Sequence, residues 1–292
     1  MRVSCVWLLL LTIGCAANLY MMRPAPPFAA VVGPTIIAHR GGSLEAPENT
    51  LAALRHGIAA GSDWQEIDVQ LSADDKVILM HDHTLERTTD GAGPLSALRA
   101  SELVKFNAGN PQPSSGMLKF LKGQDKSKLV FREDYRAERI PTLSEVLALP
   151  DARLMIELKS IPDKKKLVQS VMKEIYAAKM EDYCAIGSFD FEILELAYNA
   201  DPTIPLIGIA EEVELEKLLS LPLNVWAVHK GHATEALKHA PAGVAVWVWT
   251  VYSVDEAVKL RDQGVHGIIT DVPKEVVGSL REPSSLYIEI EH

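Results

Sequence analysis

The stretch Trp64-Gln65-Glu66-Ile67-Asp68-Val69-Gln70-Leu71, followed by Ser72-Ala73-Asp74-Asp75-Lys76 and Val77-Ile78-Leu79-Met80-His81-Asp82, decides how the chain is read. Its first part alternates strictly, with Glu66, Asp68 and Gln70 on one face of a strand and Ile67, Val69 and Leu71 on the other. Two carboxylates on the same face repel and shift each other's pKa unless positive charge lies between them. Hard divalent cations such as Mg2+ and Ca2+ take carboxylate oxygens, so the pair marks a candidate metal site. Asp74-Asp75 is a turn signal between apolar runs, so 65–81 reads as a hairpin that sets Asp68 beside His81. A surface strand with solvated acids shows the same alternation, so the rest of the chain has to decide.

Working outward, strand-like and helix-like segments alternate. Thr35-Ile36-Ile37-Ala38 is a short strand ending in His39-Arg40-Gly41-Gly42, and Pro47-Glu48-Asn49-Thr50 opens a helix that Gly61 ends. Ser96 to Phe106 is expected to be helical. Residues 107–140 lack a clean period and carry Lys119, Lys122, Lys126, Lys128, Arg132, Arg136 and Arg139, an insertion over the site or a solvated loop. In Leu154-Met155-Ile156-Glu157-Leu158-Lys159, Met155, Glu157 and Lys159 share a face. A carboxylate in an apolar strand is costly to bury without a partner, so Glu157 is expected to face a lumen that holds a cation. Strands at 184–187, 205–208, 225–228, 245–250 and 267–270 follow, each with a helix after it, one of them from near Glu211. Setting aside Val77 to Met80 as the hairpin's return arm leaves eight strands, the count of a (β/α)8 TIM barrel with its polar chemistry at the carboxyl ends of the strands.

Composition excludes some classes. A net charge of −10 argues against a nucleic-acid footprint. An acidic protein that handles an anion must do so through local Arg, Lys or a metal. Cys5, Cys15 and Cys184 allow neither a disulfide framework nor a zinc spacing. Arg2 and the apolar run Val6 to Ala17 have the form of a secretory leader, and Leu11-Thr12-Ile13-Gly14-Cys15 resembles a bacterial lipobox. An uncleaved anchor running to about Met22 is the rival reading. Domains are therefore expected at 1–23 (leader or anchor), 24–34 (proline-rich spacer), 35–281 (barrel, with 107–140 inserted) and 282–292 (tail). The location expected is exported and membrane-tethered, as a periplasmic or cell-surface lipoprotein at Cys15 or through the anchor.

In order, His39-Arg40-Gly41, Pro47-Glu48-Asn49-Thr50, Glu66-Ile67-Asp68-Val69, His81-Asp82, Glu157-Leu158-Lys159, Ser188-Phe189, Trp249-Thr250-Val251 and Gly267 to Pro273 resemble the motifs of the glycerophosphodiester phosphodiesterase family. The resemblance implies a TIM barrel with a small insertion after the second-strand hairpin. It implies metal ligands Glu66, Asp68 and Glu157, with Mg2+ or Ca2+ as cofactor, and a catalytic pair His39 and His81. It implies substrate contacts from Arg40, Glu48, Lys159 and Trp249. The implied reaction is metal-dependent hydrolysis of a small glycerophosphodiester to sn-glycerol 3-phosphate and an alcohol. Attack by the substrate's own glycerol hydroxyl and attack by water both fit. The alternatives are lysophospholipase D action on membrane lysophospholipids and, from another class, an idle barrel serving as a surface interaction protein. Tyr252 stands where the family often has Asn, and His266 where Asp commonly stands.

Overall fold

The computed structural model describes residues 33–113, 119, 131 and 135–281. The expected leader, most of the proline-rich spacer, the tail, and Lys122, Lys126, Lys128 and Arg132 of the insertion lie outside the described residues. Among the described residues, no helix is long and apolar enough to cross a membrane.

Nine strands form one sheet: β1 (Thr35–Ala38), β2 (Trp64–Leu71), β3 (Val77–Leu79), β4 (Leu154–Leu158), β5 (Cys184–Ser188), β6 (Leu206–Ala210), β7 (Val225–His229), β8 (Ala245–Val251) and β9 (Gly267–Thr270). Its order is β1-β9-β8-β7-β6-β5-β4-β2-β3, and β1 also pairs with β2, so eight parallel strands close into a barrel. β3 runs antiparallel to β2 outside that ring. The helices α1 (Leu51–Ala59), α2 (Ala100–Leu103), α3 (Leu143–Leu147), α4 (Lys164–Ala178), α5 (Phe191–Ala200), α6 (Leu215–Leu218), α7 (Ala233–His239), α8 (Val254–Asp262) and α9 (Pro273–Arg281) connect them. Caps begin several: Thr50 accepts from the Ala53 amide, Thr142 and Glu145 form a capping box, and Asp163 and Ser253 cap α4 and α8.

The alternation seen in β2 sorts its side chains by layer. Ile67, Val69 and Leu71 join Ile156 and Leu158 of β4 in the core between barrel and helices. Ile37, Trp64, Met155, Ile207, Ala227 and Trp247 fill the barrel interior. Parallel strands buried on both sides read as apolar runs, which is why β5 to β9 carry so few polar residues.

The structure corrects three local expectations. The hairpin pairs Gln70 with Ile78 and Leu71 with Val77, so Asp68 stands opposite Met80 and not His81. The cause is the turn: Ser72 N–H donates to Lys76 O, which leaves three connecting residues with Asp75 in the left-handed region at φ 60° and moves the register by one. The helix expected over Ser96 to Phe106 is a 3-10 turn (Leu95–Ala97) and the single turn α2, broken by extended Leu98 and Arg99. The helix expected from near Glu211 starts at Leu215. The insertion is pinched at its neck, where Ala108 N–H donates to Glu138 O and Asn107 bridges Arg139.

Cys184 at the start of β5 is buried, and burial first, then Glu181, pushes its thiol up to about 12. Only a thiolate is readily alkylated. Iodoacetamide at pH 8 is therefore expected to leave the Cys184 peptide unmodified in the native protein and to label it fully in denaturant. Mass spectrometry checks this, and native labelling at the rate of a free thiol would contradict the packing described.

Candidate active site

At the carboxyl end of β1 the chain turns sharply through His39-Arg40-Gly41, with Arg40 at φ 52°, a left-handed conformation uncommon for a side-chain-bearing residue. Gly41 permits the turn, because a Cβ there would meet the Ala53 backbone at 2.5 Å. The turn aims the Arg40 amide into the barrel, where it donates to Glu66 Oε2 at 2.8 Å. The Arg40 guanidinium donates to Glu48 Oε1 at 2.9 Å and lies 3.2 Å from Asp68 Oδ2.

Asp68 and Glu157 are direct neighbours across the β2–β4 ladder, so both project to the same side at the same height. With Glu66 they offer carboxylate oxygens all within 4.8 Å of one another. Lys159 donates to Glu157 Oε1 at 2.6 Å and Asp68 Oδ1 at 3.2 Å, and Asn49 donates to Asp68 Oδ2 at 2.8 Å. Burial opposes the charge on Asp68, but Lys159 and Arg40 prevail and hold its carboxyl well below the usual range. Glu66 goes the other way, its carboxyl pushed up by burial first and the Asp68 charge second. Its Oε1 is buried without a hydrogen-bond partner. An orphaned acid oxygen in an all-oxygen donor set suits a hard divalent cation, so the residues present fit a Mg2+ or Ca2+ site.

His39 Nδ1 lies 2.5 Å from Asp271 Oδ1, at the end of β9, and its Nε2 lies 4.0 Å from Glu66 Oε2. Burial disfavours the imidazolium, but Asp271 outweighs it and raises the pKa of His39. His81, just past β3, sets Nδ1 2.7 Å from Asp82 Oδ1. His39, Arg40, Glu66, His81, Glu157 and Trp249 all line one cavity of about 660 Å³, and Lys159 donates both to Glu157 on its wall and to Asp68 beside it. The residues singled out in the sequence at 39, 40, 66, 81, 157 and 249 thus come together around one cavity.

Glu48 is placed differently from a substrate contact. It lies behind the wall, accepting from Arg40 and, through both oxygens, from Arg87 at 2.6 and 2.8 Å. Burial opposes its charge, yet these guanidiniums hold its carboxyl down at about 2, against an ordinary 4.5. Its stabilising contribution is therefore complete above about pH 4.5 and lost as pH falls toward 2. Glu48→Gln would take from each of two guanidiniums one of its two carboxylate partners, and breaking one partner from a buried ion pair costs about 3–5 kcal/mol. Urea unfolding is expected to show that loss at pH 7 and a smaller gap between variant and wild type at pH 3; equal stability at pH 7 would contradict the clamp.

Sequence reasoning missed several wall and support residues. Asp271 and Asn49 were visible only as members of motifs, with no role given to either, and Arg87 sits in a loop with no periodicity to single it out. The opposite wall carries Phe189, Glu211, His229, Lys230 and Tyr252. Trp249 packs edge-on against Phe189 and His229 and donates from its indole to Ala227 O at 3.0 Å. Lys230 pairs with Glu256 at 2.6 Å and lies over the Tyr252 ring. Of the two departures from family pattern, Tyr252 lines the cavity, whereas His266 accepts from the Val246 amide at the far end of the barrel. From the insertion, Lys119 reaches the cavity wall, while Arg139 donates to backbone carbonyls.

A (β/α)8 barrel that gathers three carboxylates, two imidazoles and an arginine at the carboxyl ends of its strands is laid out as an enzyme for cation-assisted work on an anion. The model of the glycerophosphoryl diester phosphodiesterase family matches residues 39–275, and the chain belongs to that family. It is 30% identical over 259 residues to a glycerophosphodiester phosphodiesterase of Caldanaerobacter subterraneus, covering 85% of this chain and 98% of that one. It is 26% identical to the rat lysophospholipase D GDPD1, covering 85% and 87%. Among solved structures, a phosphodiesterase of Oleispira antarctica in complex with the product sn-glycerol-3-phosphate is 28% identical, with a TM-score of 0.73 over 86% of this chain and 98% of that one.

Proposed function

We propose that this protein hydrolyses glycerophosphodiesters, releasing sn-glycerol 3-phosphate and an alcohol. The observation that carries the reading is the convergence of Glu66, Asp68 and Glu157 within 4.8 Å, with Glu66 and Glu157 on the wall of the cavity that His39 and His81 also line. These carboxylates would hold the cation, which when bound supplies positive charge to the non-bridging phosphate oxygens. Arg40 and Lys159, both kept protonated by the acids around them, add fixed positive charge that costs no reorganisation during the reaction. His39 and His81 supply the acid–base pair, one taking a proton from the attacking hydroxyl and the other delivering one to the leaving alkoxide. Asp271 and Asp82 orient them through Nδ1, so each presents Nε2 to the cavity.

Release of glycerol 3-phosphate from several glycerophosphodiesters, with EDTA and metal add-back, tests the reading. Activity is expected to vanish with EDTA and return with Mg2+ or Ca2+; activity indifferent to chelation would refute it. A second reading, hydrolysis of lysophospholipids, is favoured by the exposed Phe189 beside Trp249 at the cavity and by the likeness to a lysophospholipase D. Comparing choline release from glycerophosphocholine and from lysophosphatidylcholine separates the two. The leader-like N-terminal run supports export and tethering at a membrane, through Cys15 or an uncleaved anchor; globomycin sensitivity of its processing tests the lipoprotein form.

A further inference from the structure

Arg87 lies in the loop after β3, a short way past His81 in the chain. Its side chain meets both halves of the site. Nε donates to Asp82 Oδ2 at 2.7 Å and Nη2 to Asp82 Oδ1 at 2.9 Å. On its other edge, Nη1 donates to Glu48 Oε2 at 2.6 Å and Nη2 to Glu48 Oε1 at 2.8 Å. Asp82 in turn holds His81, and Glu48 holds Arg40. A single planar guanidinium thus forks onto two carboxylates, each gripping a different wall residue of the cavity.

The geometry has a specific consequence for His81. Burial works against charge on Asp82, but its hydrogen bonds from His81 and Arg87 keep its carboxyl below the usual range, hence ionised. An ionised carboxylate only accepts hydrogen bonds. The His81 Nδ1 at 2.7 Å must therefore carry the proton, which leaves Nε2 directed away from Asp82. Asp82 Oδ1 accepts from both the imidazole and Arg87 Nη2, so the carboxylate's orientation, and through it the ring's, is fixed by Arg87. Lysine could supply the charge but not the fork, since its ammonium is a point donor.

We infer that Arg87 is a positioning residue: it locks His81 in the Nδ1–H tautomer through Asp82 and, through Glu48, holds Arg40 in register with it. The rate part of this inference rests on the proposed phosphodiester hydrolysis; the tautomer part does not. It is distinct from a general stabilising role, because a merely structural arginine would leave the His81 tautomer unchanged in any folded variant.

The test uses the full chain with Arg87→Lys and Arg87→Gln, thermal unfolding serving as the check that each is folded. Long-range 1H–15N spectra of the imidazoles, with the His81 signals assigned by their loss in His81→Gln, report the tautomer in the absence of substrate and metal. Wild type is expected to show the Nδ1–H form alone, and both variants a mixture with Nε2–H. Glycerol 3-phosphate release is expected to show a fall in kcat of about 10^2-fold, the scale of a misplaced reacting group, with KM changed less than kcat. Arg87→Lys is the variant that keeps the charge and the fold if Arg87→Gln does not. A pure Nδ1–H tautomer persisting in folded Arg87→Lys overturns the inference whatever its rate. Wild type that shows the expected tautomer yet releases no glycerol 3-phosphate would instead refute the proposed reaction and leave the positioning role standing.

Discussion

Substituting His39→Ala or His81→Ala is expected to lower turnover by about 10^2 to 10^4-fold, the worth of a general acid or base, with the barrel intact. The expectation rests on geometry: each imidazole lines the cavity of the acid trio, and each has Nδ1 taken by an aspartate. Those bonds are what make the two rings usable. With Nδ1 committed, the proton exchanged in the proposed reaction would be carried at Nε2, on the cavity side. The variants also separate the two residues structurally. His39 is nearly enclosed, whereas the His81 side chain is about a third exposed, so His39→Ala should lower the unfolding midpoint more than His81→Ala. Near-wild-type release of glycerol 3-phosphate by either folded variant would defeat the acid–base assignment.

Replacement Glu66→Gln carries the second large effect. Charge supplied by a cation at a phosphoryl transition state is worth several kcal/mol; a loss of about 4 kcal/mol is about 10^3-fold in rate. A stability signature accompanies it, and its sign is the reverse of the usual carboxylate case. Because the folded-state pKa of Glu66 is raised, holding it ionised without a cation costs stability, and that cost grows as pH climbs above the ordinary value of 4.5. In EDTA near pH 8 the variant is therefore expected to be more stable than wild type. With saturating Mg2+ or Ca2+ the order should reverse, since a ligand at a hundred times its Kd adds about 2.7 kcal/mol to the wild type only. Equal stabilisation of both proteins by the metal would remove Glu66 from the site. The same substitution thus exposes a trade in which a local cost is kept for function.

These two predictions draw on residues that were legible in sequence for a definite reason. Glu66, Asp68 and Glu157 lie in strands, where a period of two announces which side chains share a face, and a closed parallel barrel turns a shared face into a shared interior. The count of strands was legible for another reason, the short apolar runs of β5 to β9, each followed by a helix. What escaped was set by contacts between distant parts of the chain or by single backbone angles. Asp271 meets His39 across 232 residues. Asp75, at φ 60°, slipped the hairpin register by one, which period alone does not reveal. The helix expected over Ser96 to Phe106 failed at extended Leu98 and Arg99, where Glu102 accepts from the Arg99 amide and starts a fresh turn. Glu48 was visible as part of a motif, but whether it faced ligand or arginine depended on a loop fold that no periodicity encodes.

The direction of β1 bears on which molecules can reach the cavity. Thr35 pairs with Gly267 where the strands begin, and Ala38 hands directly to His39 at the opposite rim. Whatever precedes Thr35 therefore joins the molecule on its base, a full barrel height from the opening. A bilayer gripping that end would find the catalytic mouth pointed outward, toward the aqueous compartment. A lipid embedded in the same leaflet would then face the base of the barrel and not its mouth.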